Sequence, residues 1–405
     1  MGTRAVKAAC LVVIGASLAW LVAGCGHSIQ TSGGPGPTPI PGPEFVYATN
    51  NADSAISIYS ADAKTGILSL VSSSTTAGSG AGAAGLTATP NGKFLYALNS
   101  QTSEIFCFSI NETTGLLTPT SQGSISTGAG TQPVALTLSE GGNFLYVVDK
   151  QNDQIFQYSV NAQGILKPLV PPTVSVVPSD STLHQAPVSI TYSAFATAAV
   201  FVANQNSGLI VSFDVAKNGG QLSISEDIPS LGTVAGIPNW LQISGATLYV
   251  ADGGLNSPGG PGGQVSIFGV LGSIFPPGMS FLGAVGTGNS AGQPVGLWVD
   301  PFFPLLFTAN DGADNASAYP IVATGLGTPS IQDNFTSLGN VTTDPTGIFF
   351  YGTDTSEGLI FQGSIATSTG AISPIGGGSI PTESPANPGS KPFQVIVVQT
   401  PATSP

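Results

Sequence analysis

Positively charged side chains are almost missing from this sequence of 405 residues. Arg4 is the only arginine, and beyond residue 25 six lysines face 21 acidic residues. Binding to a phosphate backbone needs clustered lysine and arginine. The composition therefore predicts no nucleic-acid partner, and it offers no electrostatic attraction to an anionic membrane surface.

Charged residues of either sign are also scarce. They make up 7% of the chain, against about 25% in typical soluble domains. Glycine and proline are abundant instead, with 54 and 32 copies, which by itself would be compatible with disorder. An apolar content of 41% and regularly spaced aromatic strands argue against disorder. We therefore predict an all-β protein with many tight turns.

The N-terminal segment has the pattern of a bacterial export signal. Arg4 and Lys7 form a positive n-region, and residues 8–20 form an apolar stretch that is too short for a confident membrane span. The segment ends in Leu-Val-Ala-Gly-Cys at residues 21–25, which resembles a lipobox, the site where a diacylglycerol is attached to cysteine. A plain signal peptide with a chance cysteine is the alternative interpretation.

The lipobox resemblance implies an exported lipoprotein. Residues 1–24 would be the signal peptide, and Cys25 would carry the lipid that holds the protein at a membrane of the cell envelope. Gly26 stands where an aspartate would be, which implies the outer membrane in an organism that has two membranes. Residues 25–43 are rich in glycine and proline and are predicted to form a tether between the anchor and the folded body.

Cysteine is too scarce for a disulfide framework. Cys10 leaves with the signal peptide and Cys25 carries lipid, so Cys107 is the one thiol left in the mature chain. Cys107 is either a nucleophile or a small buried side chain, and its place in a strand pattern favours burial. Residues 311–315 lack the acidic spacing and the distal glutamate of a calcium loop. No metal and no cofactor are predicted.

One short sequence motif recurs along the chain: an aromatic residue, two small or apolar residues, and then Asn or Asp. The steps between copies are 44 to 58 residues, the period of a propeller or a solenoid. The copies begin at Tyr47, Tyr96, Tyr146, Phe201, Tyr249, Phe307 and Tyr351.

Each copy is the second of four predicted strands, and an opening strand precedes it, often after proline. The first copy lacks its opening strand, but residues 391–398 supply one at the other end of the chain. This offset is what a closed ring requires, whereas a linear solenoid needs polar caps at both ends. We therefore predict a monomeric seven-bladed β-propeller of four-stranded antiparallel blades over residues 44–400, followed by a tail at 401–405.

The segments 146–149, 201–204 and 249–252 resemble the YVTN repeat of the lactonase-type seven-bladed propellers, and the resemblance extends over about residues 45–399. Some members of that family hydrolyse 6-phosphogluconolactone or related lactones, and others are surface or binding proteins. Its enzymes place His, Arg and acidic groups at the mouth of the central channel. Beyond residue 25 this sequence has no arginine, and its only histidines are His27 and His184.

His184 lies in the loop before an opening strand, on the face shared with the loops that follow the anchor strands. It is either a general base or a loop histidine that only forms hydrogen bonds. The recurring Asn/Asp of the anchor strands is either a ligand ring or, as its presence in every blade favours, a set of turn caps. The residues predicted to surround a ligand funnel with His184 are Gln132, Gln185, Asn239 and Gln293.

Two functions follow as hypotheses. The missing arginine and the glycine-rich segment 252–264 favour a lipid-anchored, non-enzymatic propeller that binds a protein or a glycan at the cell envelope. The family resemblance and His184 support the alternative, a lactonase-like hydrolase acting on an uncharged lactone. The alternative requires a carboxylate within hydrogen-bond reach of His184.

Overall fold

A computed structural model describes residues 42–79, 81–178, 183–195, 197–229, 236–254, 263–271, 278–288, 292–333, 335–382 and 391–401. The regular structure in these ranges is β-strand, in seven antiparallel sheets. No helix among these residues has the length and apolarity needed to cross a membrane. The predicted signal peptide, Cys25 and nearly all of the predicted tether lie outside the described residues, as does most of segment 252–264.

Each sheet is one blade, and its strands follow one another from the inside of the ring outward. Blade 1 contains β29 (Pro392–Gln399), β1 (Glu44–Asn50), β2 (Ala55–Ala61) and β3 (Leu68–Thr76). Blade 2 contains β4 (Ala83–Ala88), β5 (Phe94–Asn99), β6 (Glu104–Ile110) and β7 (Leu117–Ser126). Blade 3 contains β8 (Pro133–Leu138), β9 (Phe144–Asp149), β10 (Gln154–Val160) and β11 (Leu166–Ser175). Blade 4 contains β12 (Pro187–Ser193), β13 (Ala199–Asn204), β14 (Leu209–Val215) and β15 (Leu222–Pro229).

The remaining three blades follow the same order. Blade 5 contains β16 (Pro238–Ser244), β17 (Thr247–Asp252), β18 (Gln264–Leu271) and β19 (Gly278–Gly286). Blade 6 contains β20 (Gln293–Val299), β21 (Leu305–Asp311), β22 (Asn315–Val322), β23 (Gly325–Leu326) and β24 (Ser330–Gln332). Blade 7 contains β25 (Leu338–Thr343), β26 (Phe349–Asp354), β27 (Leu359–Ala366) and β28 (Ala371–Pro381).

The blades form a closed ring, as the sequence predicted. The innermost strand of each blade contacts that of the next, in the order β29, β4, β8, β12, β16, β20, β25 and back to β29. The last strand closes the circle because β29 pairs with β1, in a register that sets Glu44 opposite Gln399. Side chains also join neighbouring blades: the Gln394 side-chain oxygen accepts the Leu86 N–H at 2.7 Å.

Blade 6 departs from the predicted four strands because its outer strand is split. The long strand β22 pairs with β23 through residues 321–322 and with β24 through residues 316–318. Gly327 and Pro329 lie between the two short strands. Proline lacks the N–H that a continuous ladder would need, so the outer edge pairs in two pieces.

The core lies between blades, since each hydrophobic cluster draws on two neighbours. Tyr96 of blade 2 and Leu145 of blade 3, for example, share one cluster and are fully buried. Burying an aromatic or leucine side chain of this kind stabilises the fold by about 1.5–3 kcal/mol. The anchor strands are therefore apolar on both faces, because one face is covered by the preceding blade and the other by the next one.

Two kinds of segment meet on one face of the ring, which we call the mouth face. They are the connections that enter the innermost strands and the turns between the second and third strands. Backbone hydrogen bonds join them, such as Lys150 N–H to Gln132 O at 2.9 Å and Gln205 N–H to Ala186 O at 3.0 Å. The turns between first and second strands open on the opposite side, the bottom face. The mouth face therefore carries the residues that were predicted to surround a ligand.

Candidate functional site

His184 forms a pair with a carboxylate on the mouth face. Its Nδ1 lies 2.8 Å from Oδ2 of Asp153, which belongs to the turn between β9 and β10. The same Oδ2 accepts the Gln185 N–H at 2.8 Å, and Oδ1 accepts the Ala186 N–H at 2.9 Å. These backbone bonds fix the carboxylate, so Asp153 in turn fixes the orientation of the imidazole ring.

The junction between blades 3 and 4 can be compared with other junctions, because the turn position of Asp153 recurs in other blades. Asp153 occupies a left-handed turn position, with φ of 50°, and the matching residues of blades 1 and 2 are Ser54 and Ser103, each with φ of 56°. The Ser103 hydroxyl donates to Thr131 O at 2.7 Å, so it closes the same inter-blade contact without any charge. A serine suffices for this contact in blade 2, so the carboxylate–imidazole pair is additional to the inter-blade link.

The His184–Asp153 pair has the geometry of a general base and its orienting group. The carboxylate is buried, with 10% of its side chain exposed, whereas half of the imidazole side chain is exposed. With Nδ1–H donated to Asp153, Nε2 carries the ring's lone pair and can take a proton from water or a substrate. Asp153 was absent from the predicted site residues. Comparison with blades 1 and 2 would have drawn attention to it, because they have serine at this position, although blade 6 also has an aspartate there, Asp314.

A chain of polar side chains extends from this junction across four blades. Lys150 Nζ donates to Gln205 Oε1 at 2.9 Å, and Gln205 Nε2 donates to Asn239 Oδ1 at 3.2 Å. Asn239 Nδ2 then donates to Pro294 O at 3.0 Å. The neighbour of Gln205, Asn206, donates from its side chain to His184 O at 3.3 Å, which ties this chain to the histidine loop.

The structure separates the four predicted funnel residues. Asn239 and Gln293 approach each other beside Gly253, where an added Cβ would lie 3.0 Å from Asn239 Nδ2 and 3.6 Å from Gln293 Oε1. Gln132 is exposed at the start of blade 3. Gln185 is buried and its side-chain amide donates to Leu183 O at 2.7 Å, so this side chain is directed into its own loop.

Some of the recurring Asn/Asp side chains act as caps, and others do not. Asn99 Oδ1 accepts the Gln101 N–H, and Asp149 Oδ1 accepts the Gln151 N–H, each two residues further on. Asn204 is fully buried, and neither atom of its side-chain amide has a hydrogen-bond partner within the part of the chain that the structure describes. The capping interpretation therefore holds for Asn99, Asp149 and Asp354, whose Oδ1 accepts the Ser356 N–H. It does not hold for Asn50 and Asn310, whose amides donate to the hydroxyl groups of Ser57 and Ser317 on the following strands.

Cys107 is a core residue. It is fully buried in the cluster between blades 2 and 3, and burial raises the pKa of its thiol to about 12. A thiol in that state is a poor nucleophile. The interpretation as a small buried side chain is confirmed.

A separate cavity of about 170 Å³ lies in blade 7, away from His184. Phe335, Leu338 and Phe361 form its apolar wall, and Asp354 and Glu357 contribute carboxylates. Asp354 is already bonded, since Oδ1 accepts the N–H groups of Ser356 and Glu357. No pair like that of His184 and Asp153 lies among the residues that line this cavity.

Comparison with known proteins agrees with the architecture. Residues 41–132 and 125–235 match the family described as "Lactonase, 7-bladed beta-propeller". None of the curated proteins matches the chain.

Among solved structures, a candidate 6-phosphogluconolactonase of Bacteroides uniformis superimposes with a TM-score of 0.72 at 15% identity, over 89% of this chain and 100% of that one. A candidate 6-phosphogluconolactonase of Bacteroides fragilis gives 0.69 at 16% identity, over 88% and 98% of the two chains. A Lactobacillus plantarum protein gives 0.67 at 16% identity, over 88% and 99%. At these identities the likeness concerns the fold.

Proposed function

Since the chain is a seven-bladed β-propeller of the lactonase type, we propose that it hydrolyses a lactone on its mouth face, with His184 as the general base. The observation that supports this function is the 2.8 Å contact between His184 Nδ1 and a carboxylate that two backbone N–H groups hold in place. The half-exposed ring leaves its second nitrogen within reach of solvent.

The reaction needs only water and the lactone. His184 Nε2 takes a proton from water while the water oxygen forms a bond to the ring carbonyl carbon. Asp153 stabilises the resulting imidazolium and is not itself protonated. When the ring C–O bond breaks, the imidazolium returns the proton to the leaving oxygen, and the product is a hydroxy acid that ionises in solution.

The preferred substrate is an uncharged lactone. Arginine is the side chain that best holds a phosphate group through two hydrogen bonds, and the only arginine of the chain is Arg4. The proposed substrate class is therefore a neutral sugar lactone or a related ring, in preference to a sugar phosphate.

The decisive experiment is a hydrolysis assay on the full chain with neutral and phosphorylated lactones. His184→Ala should lower the rate about 10²- to 10⁴-fold, the usual contribution of a general base. Asp153→Ser, which introduces the side chain found at Ser103, should retain the inter-blade link but reduce the rate. Ser103→Ala is the matched control and should leave the rate unchanged.

No turnover by the unaltered protein above the buffer rate on any lactone would contradict the proposal. Full turnover in His184→Ala would place the chemistry elsewhere. The thermal midpoint of each variant shows whether a lost rate reflects unfolding.

A second function is supported by the polar chain that runs from Lys150 across four blades to Pro294 O. A rim of this extent suits a large ligand, so we also propose that the protein, exported and lipid-anchored through Cys25, binds a protein or a glycan at the cell envelope.

Two experiments test this second function. Incorporation of an alkyne fatty acid in the wild type, and its loss in Cys25→Ser, would support the lipid anchor. Removal of residues 254–263 should abolish capture of such a partner while the fold is kept, and unchanged capture would contradict the role of that segment.

A further inference from the structure

Lys150 is an unusual cation in this acidic protein. It directly follows the anchor strand β9 on the mouth face and is partly buried, and burial lowers the pKa of its ammonium group. Its Nζ contacts a neutral acceptor, Gln205 Oε1, at 2.9 Å. A partly buried ammonium loses hydration, and a neutral amide compensates for that loss less well than an anion does.

No carboxylate within the described ranges forms an ion pair with Lys150. The nearest acidic residue in sequence, Asp149, is occupied by other donors: Oδ1 accepts the Gln132 N–H, and Oδ2 accepts the side-chain amides of Asn152 and Gln154. Lys93, by contrast, lies 3.5 Å from a Glu112 oxygen. The charge on Lys150 thus lacks a counter-charge of its own at a site where a ligand can approach.

The neighbours of Lys150 provide further donors. An ammonium group has three N–H bonds and a side-chain amide has two. Gln205 uses one of its two on Asn239 Oδ1, and Asn239 uses one on Pro294 O. Lys150, Gln205 and Asn239 therefore place donors side by side next to one positive charge, which is the arrangement that a carboxylate with adjacent hydroxyl groups needs.

We infer that Lys150, Gln205 and Asn239 form a subsite for the carboxylate and hydroxyl groups of a small hydroxy acid. A single ammonium is a point charge that matches a monoanion, whereas a phosphate dianion is usually held by several cationic or backbone donors. As the site that receives the acid end of an opened lactone, the subsite rests on the proposed function. Binding of the anion itself can be measured without any turnover.

The test is a calorimetric titration of the full chain with sodium gluconate, and with glucose as the uncharged counterpart. Lys150→Met should weaken gluconate binding about tenfold or more, because it removes the charge but keeps most of the apolar stem. Lys391→Met is the matched control, since Lys391 is an exposed lysine at the start of β29 on the same face. This control should bind gluconate as the wild type does, and glucose should bind weakly to every variant.

Equal gluconate affinity in Lys150→Met and the wild type would overturn the subsite, as would the absence of saturable binding to the wild type. His184→Ala separates the two proposals, because it should lose turnover and keep gluconate affinity. Lysine-dependent gluconate binding in a protein that opens no lactone would support the subsite and contradict the hydrolase. Lactone turnover with gluconate inhibition that is unchanged in Lys150→Met would contradict the subsite alone.

Discussion

Asp300 shows how a single carboxyl group responds to burial in this fold. It follows β20 on the bottom face, where Oδ1 accepts the N–H groups of Phe302 and Phe303, both at 2.8 Å. Oδ2 is buried, and a side-chain hydrogen bond from Thr343 lowers the pKa only slightly. Burial, with a smaller contribution from Asp344, raises the pKa of Asp300 to about 6. The charged form is therefore disfavoured in the folded protein.

A raised folded-state pKa has a defined consequence for stability. The unfolded chain ionises near the ordinary carboxyl pKa of 3.8, so the penalty is absent below that pH, grows as pH rises to about 6, and is complete above it. Asp300→Asn should therefore stabilise the protein at pH 8 by about 1–3 kcal/mol, and by much less at pH 4. Urea unfolding at the two pH values measures this difference.

Asp62→Asn is a control for which the opposite change in stability is expected. Asp62 caps an exposed turn, and its hydrogen bonds from Thr65 and Lys64 lower the pKa of its carboxyl group. Its replacement should reduce stability above pH 4, where the wild-type carboxylate is charged. A pH-independent effect of Asp300→Asn would show that the carboxyl group of Asp300 titrates normally.

At the scale of the elements, the blades are joined by a repeated contact between an anchor tyrosine and a glycine turn. The tyrosine hydroxyl donates to the glycine carbonyl in the turn between the third and fourth strands of the next blade. Each glycine has φ between 68° and 73°, and its face lies against a phenylalanine ring. The pairs are Tyr47 with Gly115, Tyr96 with Gly164, Tyr146 with Gly220 and Tyr351 with Gly66.

Gly164→Ala should destabilise the protein by about 2–4 kcal/mol, combining the cost of a positive φ with that of overpacking. A Cβ at Gly164 would lie 2.4 Å from the ring of Phe94. Gly123→Ala is a closely matched control, because Gly123 has φ of 67° but nothing within 4 Å of a Cβ. Chemical denaturation of both variants separates backbone strain from the clash. Equal losses would mean that the Phe94 ring moves aside without cost.

At the scale of the whole molecule, stability depends on joining two distant ends of the chain. Strand β29, near the end of the chain, is the innermost strand of blade 1, and it pairs with β1, the first strand among the described residues. Val395 and Val398 of β29 are buried in two different clusters, one shared with blade 7 and one shared with blade 2. The closing strand therefore holds blade 1 to both neighbours.

A chain that ends at residue 391 should lose most of its cooperativity and expose β1 as an unpaired edge. Each lost buried valine alone removes about 1.5–3 kcal/mol. A synthetic peptide of residues 391–401 should restore the unfolding midpoint, and a scrambled peptide of the same composition should not. An unchanged midpoint in the shortened chain would show that the ring does not depend on its closing strand.

The sequence was sufficient to predict the fold because the residue types in its repeat have defined structural consequences. An anchor strand such as Phe94–Asn99 is apolar throughout, and the Asn91-Gly92 turn before it allows a positive φ, with Gly92 at 66°. Seven such copies with offset ends leave a ring as the arrangement that pairs every blade. The split outer strand of blade 6 was not predicted, although Pro329 lacks the N–H that a continuous ladder would need.

The sequence by itself determined the ring, its closure by β29 and the loop position of His184, since these depend on periodic residue types and their order. Only the tertiary structure determined the contacts of His184 with Asp153 and of Lys150 with Gln205, because the members of these pairs are 31 and 55 residues apart. Their side chains meet only when neighbouring blades pack together. Gln185 also shows what the sequence could not determine. Its position predicts an exposed residue on the rim of the mouth face, but in the structure its side-chain amide donates to Leu183 O.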